Sequence, residues 1–225
     1  MTNPFIHLRT HSSYSLSEST LKVANLVEIC KKNKIPALAI TDNNNMFGVF
    51  EFANECVKNN IQPIIGSSIN LLDIRIGEKI SQLTFLVKNE IGYKNLLRLS
   101  SLSHTSNKKN VGVTIKDLKD NSEGLFCFIG GEYNPLLFLQ LENKLDDTEK
   151  FLELFLSIYK DNFLFEIQRI ENELIDNFEN DFINLATKYK IPLIASNNVK
   201  FANSEDFVAH DALLCVAQKT TVNNS

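Results

Sequence analysis

Short apolar runs alternate with longer stretches of helical periodicity along this chain. Apolar runs of a few residues are typical of strands, and apolar residues recurring every three or four positions are typical of amphipathic helices. The runs predict strands at residues 5–9, 36–41, 62–72, 83–87, 124–129, 163–167 and 192–195. The helical spacing predicts helices at residues 21–32, 46–58, 93–99, 114–118, 136–141, 148–158, 171–189 and 206–217.

This alternation predicts an α/β fold. Repeated strand–helix units with apolar strands favour a parallel sheet, either closed into a barrel or open and doubly wound. Polar residues follow the strands, at 9–15, 42–45, 67–68, 130–131 and 197–200. In a barrel the carboxyl ends of the strands form the face on which sites are built. Neither GxGxxG nor GxxxxGK[ST] follows a strand, so the nucleotide-binding fingerprints are missing.

Composition narrows the class of protein. The chain has 225 residues, 44% hydrophobic and 22% charged, which is enough for a substantial core in one domain. A formal charge of -4 argues against a stand-alone clamp for duplex DNA. No apolar run approaches about 18 residues, the length that a transmembrane helix needs, so we expect no membrane span and no membrane partner. The four cysteines form no CxxC pair, which favours a reducing cytosol without disulfides.

The stretch FIHLRTHSSYSL, residues 5–16, begins with the first predicted strand and carries the most suggestive chemistry. Residues at alternate positions share one face of a strand, so His7, Arg9 and His11 are expected on the same side. Histidines in this arrangement often begin a metal site, but arginine is always cationic and cannot ligate a metal. The alternative for His7 is a core or hydrogen-bonding histidine.

Five segments in order resemble a known family: HLRTHSSYSL, ALAITDNNNMFG, PIIGSS, LTFLVKNEIGYKNLL and IASNNVKFANSEDFVAHDALL. They are similar to the N-terminal PHP (polymerase and histidinol phosphatase) domains of bacterial DNA polymerase III alpha subunits. The resemblance implies a distorted seven-stranded (TIM-like) α/β barrel. It makes residues 1–218 the PHP domain and residues 219–225 the start of a linker, or a cut end, leading to an absent polymerase region.

The resemblance also implies where a site lies. Active members hold three metals at the carboxyl face, and here several ligand positions carry other residues: Arg9 and Asn43 stand for histidines, Ser68 for a glutamate and Gln82 for a histidine. The final Asp-x-His falls on Asn198 and Lys200. The vestigial site therefore comprises His7, Arg9, His11, Glu18, Asp42, Asn43, Ser68, Gln82, Asn198 and Lys200.

Two of these positions add positive charge where metals would bind. A metal cluster needs several imidazoles and carboxylates to offset its charge. Arg9 and Lys200 instead suggest that protein charge substitutes for the missing metals. We expect Arg9 to pair with Asp42 or Glu18, and Lys200 to pair with the same carboxylates. Asp42 has the alternative role of a turn residue or helix cap. We expect no metal, apart from weak, adventitious divalent metal at His11.

The function implied by the resemblance is that of a domain within a larger enzyme. The parent would be a cytoplasmic DNA-directed DNA polymerase (a nucleotidyltransferase) in DNA replication, with its Mg²⁺ and catalytic carboxylates in another region. The fragment itself is expected to be inactive, without a cofactor, and to serve as a degenerate structural and docking domain. Implied partners are the polymerase thumb and palm, the proofreading exonuclease subunit and the replication holoenzyme, with DNA contacted only through the parent.

Two alternatives remain. A metal-dependent phosphoesterase or 3′–5′ exonuclease of the PHP family is disfavoured by the number of missing ligands. A free-standing binding protein of unrelated function would require the five ordered segments to be coincidental.

Overall fold

A curled mixed sheet with helices on its outer side organises the fold. The computed structural model describes residues 4–77, 79–105, 109–170 and 172–222. Seven strands lie within these residues: β1 (Ala37–Ile40), β2 (Gln62–Leu72), β3 (Ser81–Val87), β4 (Val113–Thr114), β5 (Leu125–Gly130), β6 (Phe163–Ile167) and β7 (Leu193–Ala195).

The helices follow the predicted periodic stretches closely. They are α1 (Val23–Asn33), α2 (Val49–Lys58), α3 (Glu90–Thr105), α4 (Ile115–Asp120), α5 (Pro135–Leu141), α6 (Leu145–Tyr159), α7 (Glu173–Tyr189) and α8 (Phe207–Gln218). None of these described helices is both long enough and apolar enough to cross a membrane. The predicted linker at 219–225 is described only as far as Val222, and residues 223–225 lie outside the described part.

The sheet is not wholly parallel, which corrects one expectation. Its order is β1-β2-β3-β5-β6-β7, with β4 beside β2. The pairs β1–β2, β5–β6 and β6–β7 are parallel, whereas β3 runs antiparallel to both β2 and β5. Within the described residues of the link from β2 to β3 (73–77 and 79–80) no helix forms, and the chain returns in the opposite direction.

The N-terminal segment closes the sheet into a barrel. The strand predicted at residues 5–9 is not a regular strand, although it lies extended between the two ends of the sheet. On one side the Ala39 amide donates to the His7 carbonyl (3.0 Å), and on the other the His11 amide donates to the Val199 carbonyl (2.9 Å). The sheet with its flanking helices therefore forms a distorted, TIM-like α/β barrel, as the family resemblance implied.

Apolar side chains from every wall fill the barrel interior. They come from the N-terminal segment and six strands, and include Leu8, Ala39, Ile64, Leu86, Phe128, Leu164 and Ile194. A larger core lies between the sheet and the outer helices, where Phe165 stacks on Phe182 of α7 with ring centroids 4.1 Å apart. These two layers hold the strand ends, and the polar residues on them, in fixed positions.

Candidate functional site

Polar side chains meet at one edge of the barrel. Asp42 and Asn43 follow β1, Glu166 lies near the end of β6, and Asn198 follows β7. Because β3 is antiparallel, it brings its first residues to this edge, and Gln82 is among them. The reversed strand therefore contributes to the same site as the parallel strands.

A buried ion pair lies at the centre of the site. Arg9 Nη1 donates to Glu166 Oε2 at 2.8 Å, and Nη2 donates to Gln82 Oε1 at 3.0 Å. The two charged side chains are 3% and 0% exposed. The Ser196 hydroxyl donates to the other oxygen of Glu166. The prediction that Arg9 pairs with Asp42 or Glu18 is therefore wrong.

Glu166 is the functional residue that the sequence analysis missed. It lies within the apolar run FLFEI of β6, and that pattern by itself predicts only a buried strand. A buried arginine needs a buried carboxylate, because an unpaired charge in the interior is costly. A single acidic residue inside an apolar strand was the signal that could have identified this partner.

Asp42 anchors the loop that follows Arg9. Its carboxylate accepts hydrogen bonds from the Ser12 amide (2.6 Å), the Ser12 hydroxyl (2.7 Å) and the Ser15 hydroxyl (2.7 Å). Burial raises the pKa of the Asp42 carboxyl, and these hydrogen bonds oppose that shift. The side chain thus holds residues 12–15 against the end of β1, and neither pairs with Arg9 nor caps a helix.

Side-chain amides connect the ion pair to the rim of the site. Gln82 Nε2 donates to Asn43 Oδ1 at 3.3 Å, and Asn43 Nδ2 donates to the Glu18 carboxylate. Gln82 is also the residue that accepts from Arg9. Neutral amides at two positions that the resemblance assigned to histidines therefore form a continuous hydrogen-bonded chain from Glu18 to Arg9.

His11 is held as a neutral ring within this site. Its Nε2 lies 2.7 Å from Asn198 Oδ1, which can only accept, so Nε2 carries the proton. Burial, together with the charges of Arg9 and Lys200, lowers the pKa of His11 to about 3, although the Asn198 hydrogen bond opposes this shift. The protonated nitrogen is not available to a metal.

This depressed pKa predicts a pH-dependent stability. The folded pKa of about 3 lies below the unfolded value near 6.5, so the unfolded chain binds a proton at His11 more readily than the folded chain. The free energy of unfolding therefore has its full value above about pH 6.5 and decreases as the pH falls. Each pH unit within that window costs about 1.4 kcal/mol. Denaturant unfolding should therefore show a loss of about 2 kcal/mol between pH 7 and pH 5.

Two variants separate His11 from the other titrating groups. Burial also lowers the pKa of His7, which adds to the slope in the same direction. His11→Gln should remove most of the slope, whereas the matched change His104→Gln, at an exposed histidine of α3, should leave it intact. An unchanged slope in His11→Gln would show that His11 is not the responsible group.

Of three further predicted site residues, His7 lies away from the site, whereas Ser68, bridged to Asn43, and Lys200 lie at its edge. His7 contacts the ring of Phe5 and lines a cavity beside α1, away from Arg9, because the segment is not a regular strand and strict alternation fails. The Ser68 hydroxyl lies 3.1 Å from Thr84 Oγ1. Lys200 is half-buried near His11, but within the described residues its ammonium forms no ion pair, so the predicted pairing with Asp42 or Glu18 is wrong.

The donor set at this edge does not fit a metal cluster. Within the part of the chain that the structure describes, no three His, Cys, Asp or Glu side chains are grouped so that they could hold an ion. The Arg9 guanidinium lies between Gln82 and Glu166, and the Asp42 oxygens are engaged by serines. We therefore derive no chemical step through a metal.

A closed α/β barrel with a polar carboxyl-edge cluster defines the structural class. A solved amidohydrolase from Chromobacterium violaceum shares this fold, with a TM-score of 0.54 and 10% identity, covering 91% of this chain and 89% of that one. A family model described as the PHP domain matches residues 7–170. The chain belongs to the PHP domain family.

Curated relatives identify the branch of the family that this chain resembles. It is 38% identical to a DNA polymerase III subunit alpha from Rickettsia bellii, over 98% of this chain and 19% of the relative. It is 28% identical to the same subunit from Haemophilus influenzae, again over 98% of this chain and 19% of the relative. The chain thus spans about a fifth of the length of the curated relatives it matches.

Proposed function

We propose that this chain acts as a non-catalytic PHP domain of a cytoplasmic DNA polymerase III alpha subunit. The observation that carries the proposal is the buried Arg9–Glu166 ion pair. In a metal-dependent site the carboxylate charge would be offset by bound cations. Here a fixed guanidinium supplies that charge from within the protein, so the barrel edge is completed without an ion.

The proposed parent protein is a DNA-directed DNA polymerase, as the names of the relatives suggest. Nucleotidyl transfer needs carboxylates that hold two Mg²⁺ ions close together. We place that chemistry in the remaining four-fifths of such a subunit. DNA would be contacted through the parent, in keeping with the charge of -4 on this chain.

Exposed apolar side chains support a docking role. Helix α8 is mostly apolar, yet Val216 is 73% exposed and Phe207 and Val208 are exposed as well. Phe50 of α2 is 79% exposed, beside Phe47. Apolar helices and clustered aromatic residues are usually covered in an assembly. We propose that these surfaces dock the polymerase thumb and palm and the proofreading exonuclease subunit of the replication holoenzyme.

A turnover assay tests the non-catalytic role. The purified 225-residue chain should hydrolyse neither a phosphomonoester nor the 3′ end of single-stranded DNA when Mn²⁺, Zn²⁺ or Mg²⁺ is added, because its polar groups are engaged with one another. Metal-dependent turnover that is lost in His11→Ala and kept in His104→Ala would overturn the proposal. That result would favour the phosphoesterase or exonuclease alternative.

A further inference from the structure

Helix α2 carries apolar side chains on two opposite faces. Its inner face, with Phe52 and Cys56, is buried in the core that α2 shares with α1. Its outer face carries Phe50 and Val57, which lie about two turns apart and are 79% and 65% exposed. Phe47 is 65% exposed and precedes Phe50 by one turn, in the segment that leads into the helix. We call Phe47, Phe50 and Val57 the outer α2 surface.

The neighbouring helix α1 shows the usual pattern of a helix that faces water. It buries one apolar face, and its exposed positions are mostly polar or charged, among them Asn25, Glu28, Lys31 and Lys32. An amphipathic helix on a protein surface normally turns one apolar face to the core and a polar face to solvent. Helix α2 departs from this pattern, so we expect its outer face to be covered by another molecule.

A fixed carboxylate beside the outer α2 surface restricts what covers it. Glu51 is exposed and accepts a hydrogen bond from the Tyr14 hydroxyl at 2.8 Å, but among the described residues no cation pairs with it. Lys58 is the cation of α2, and it already pairs with Glu55 at 2.6 Å. The charge of Glu51 therefore favours a partner that brings its own cation, which α2 of a second copy does not offer.

The same carboxylate argues against nucleic acid as the occupant. Aromatic side chains that stack on single-stranded bases lie in positively charged grooves, because the phosphates must be neutralised. Here the charge next to Phe47 and Phe50 is negative. A protein partner with a basic flank fits this combination of exposed aromatic side chains and an unpaired carboxylate better.

We propose that the outer α2 surface docks an amphipathic helix of a partner protein, with apolar side chains against Phe47, Phe50 and Val57 and a lysine or arginine beside Glu51. A helix suits this surface because the side-chain ridges of one helix pack into the grooves of another. The inference rests on the docking role proposed above and gives one docking partner its chemistry. It does not depend on the Arg9–Glu166 pair.

Methyl NMR of the 225-residue chain, titrated with two synthetic helical peptides, tests the proposal. Both peptides carry leucines along one face at helical spacing, and they differ in the flanking residues, which are lysines in one and glutamates in the other. The methyl signals of Val57 should shift saturably, while those of Val216, at an equally exposed position of α8, stay in place. We expect the lysine peptide to bind about tenfold more tightly than the glutamate peptide. No saturable shift at Val57, equal affinities of the two peptides, or equal shifts at Val216 would overturn the proposal.

Matched variants locate the contact. Phe50→Ser should weaken binding of the lysine peptide about tenfold, whereas Phe207→Ser, at an exposed phenylalanine of α8, should not. Glu51→Gln should reduce the preference for the lysine peptide about threefold, and Glu28→Gln on α1 should leave it unchanged. All four positions are exposed, so unfolding midpoints that match the parent chain would show that contact and not folding was lost. Unchanged affinity in Phe50→Ser would refute the assignment.

Two further measurements separate the other possible occupants. Sedimentation should show a monomer at the concentration of the titration, and an oligothymidylate should leave the Val57 signals in place. A dimer that Phe50→Ser dissociates would assign the surface to a second copy, and Val57 shifts with the oligothymidylate alone would assign it to single-stranded nucleic acid. Either result would overturn the proposal. The turnover assay described above is independent of these titrations, so the docking inference and the non-catalytic role fail separately.

Discussion

Replacing Arg9 by methionine is expected to lower the free energy of unfolding by about 3–5 kcal/mol. The change leaves the Glu166 carboxyl almost wholly buried and without its cation, and the Ser196 hydroxyl alone cannot replace that partner. Glu166→Gln should cost a similar amount because it strands the guanidinium. Denaturant unfolding of the purified variants measures both effects.

The double variant tests whether these two residues are partners. Arg9→Met with Glu166→Gln strands neither charge, so it should cost less than the sum of the single changes by on the order of 1–3 kcal/mol. The chain contains a matched control, the Arg169–Glu179 pair at 3.2 Å, whose arginine is 80% exposed. Arg169→Met should cost under about 1 kcal/mol. Additive single effects would mean that Arg9 and Glu166 do not act as a pair.

Gly92→Ala is expected to cost about 3 kcal/mol, although alanine normally favours a helix over glycine by about 1 kcal/mol. Gly92 lies in the first turn of α3, where an added Cβ would come within 1.8 Å of the Gly124 carbonyl oxygen. Both contacting groups are backbone, so α3 would have to move away from the turn that precedes β5. The measurement is again the free energy of unfolding.

Ser101→Ala provides the control for that prediction. It introduces the same side chain on the exposed face of the same helix and adds no bulk. Its effect should stay within about 0.5 kcal/mol of zero. If Gly92→Ala matched Ser101→Ala, the close approach of α3 to Gly124 would not contribute to stability.

The local pattern of apolar and polar residues predicted most of the strands and helices, because it depends directly on which side chains are buried. The apolar runs at 36–41 and 163–167 correspond to β1 and β6, and the periodic stretch at 171–189 to α7. Pattern could not give the direction of β3, since an apolar run reads the same in a parallel or antiparallel strand. The direction of β3 follows instead from the short link between β2 and β3, which favours an antiparallel pair.

The candidate site was predicted less completely, because its partners come from distant parts of the chain. Arg9 and Glu166 are 157 residues apart, and nothing local to either residue specifies the other. The sequence shows the extra cation at position 9, but the site defined by the resemblance offered only Asp42 and Glu18 as its partners. His7 was placed with Arg9 by strand alternation, which requires a regular strand that the segment does not form.

Metal analysis with matched unfolding curves tests most directly the claim that an internal ion pair completes the barrel edge. The chain should be purified with Mn²⁺ and Zn²⁺ present, desalted, assayed for bound metal, and unfolded with and without EDTA. We predict well below one ion per chain and the same unfolding midpoint in both conditions, because Arg9 already supplies the charge beside Glu166. One or more tightly bound ions per chain, with a midpoint that falls when EDTA removes them, would contradict the account.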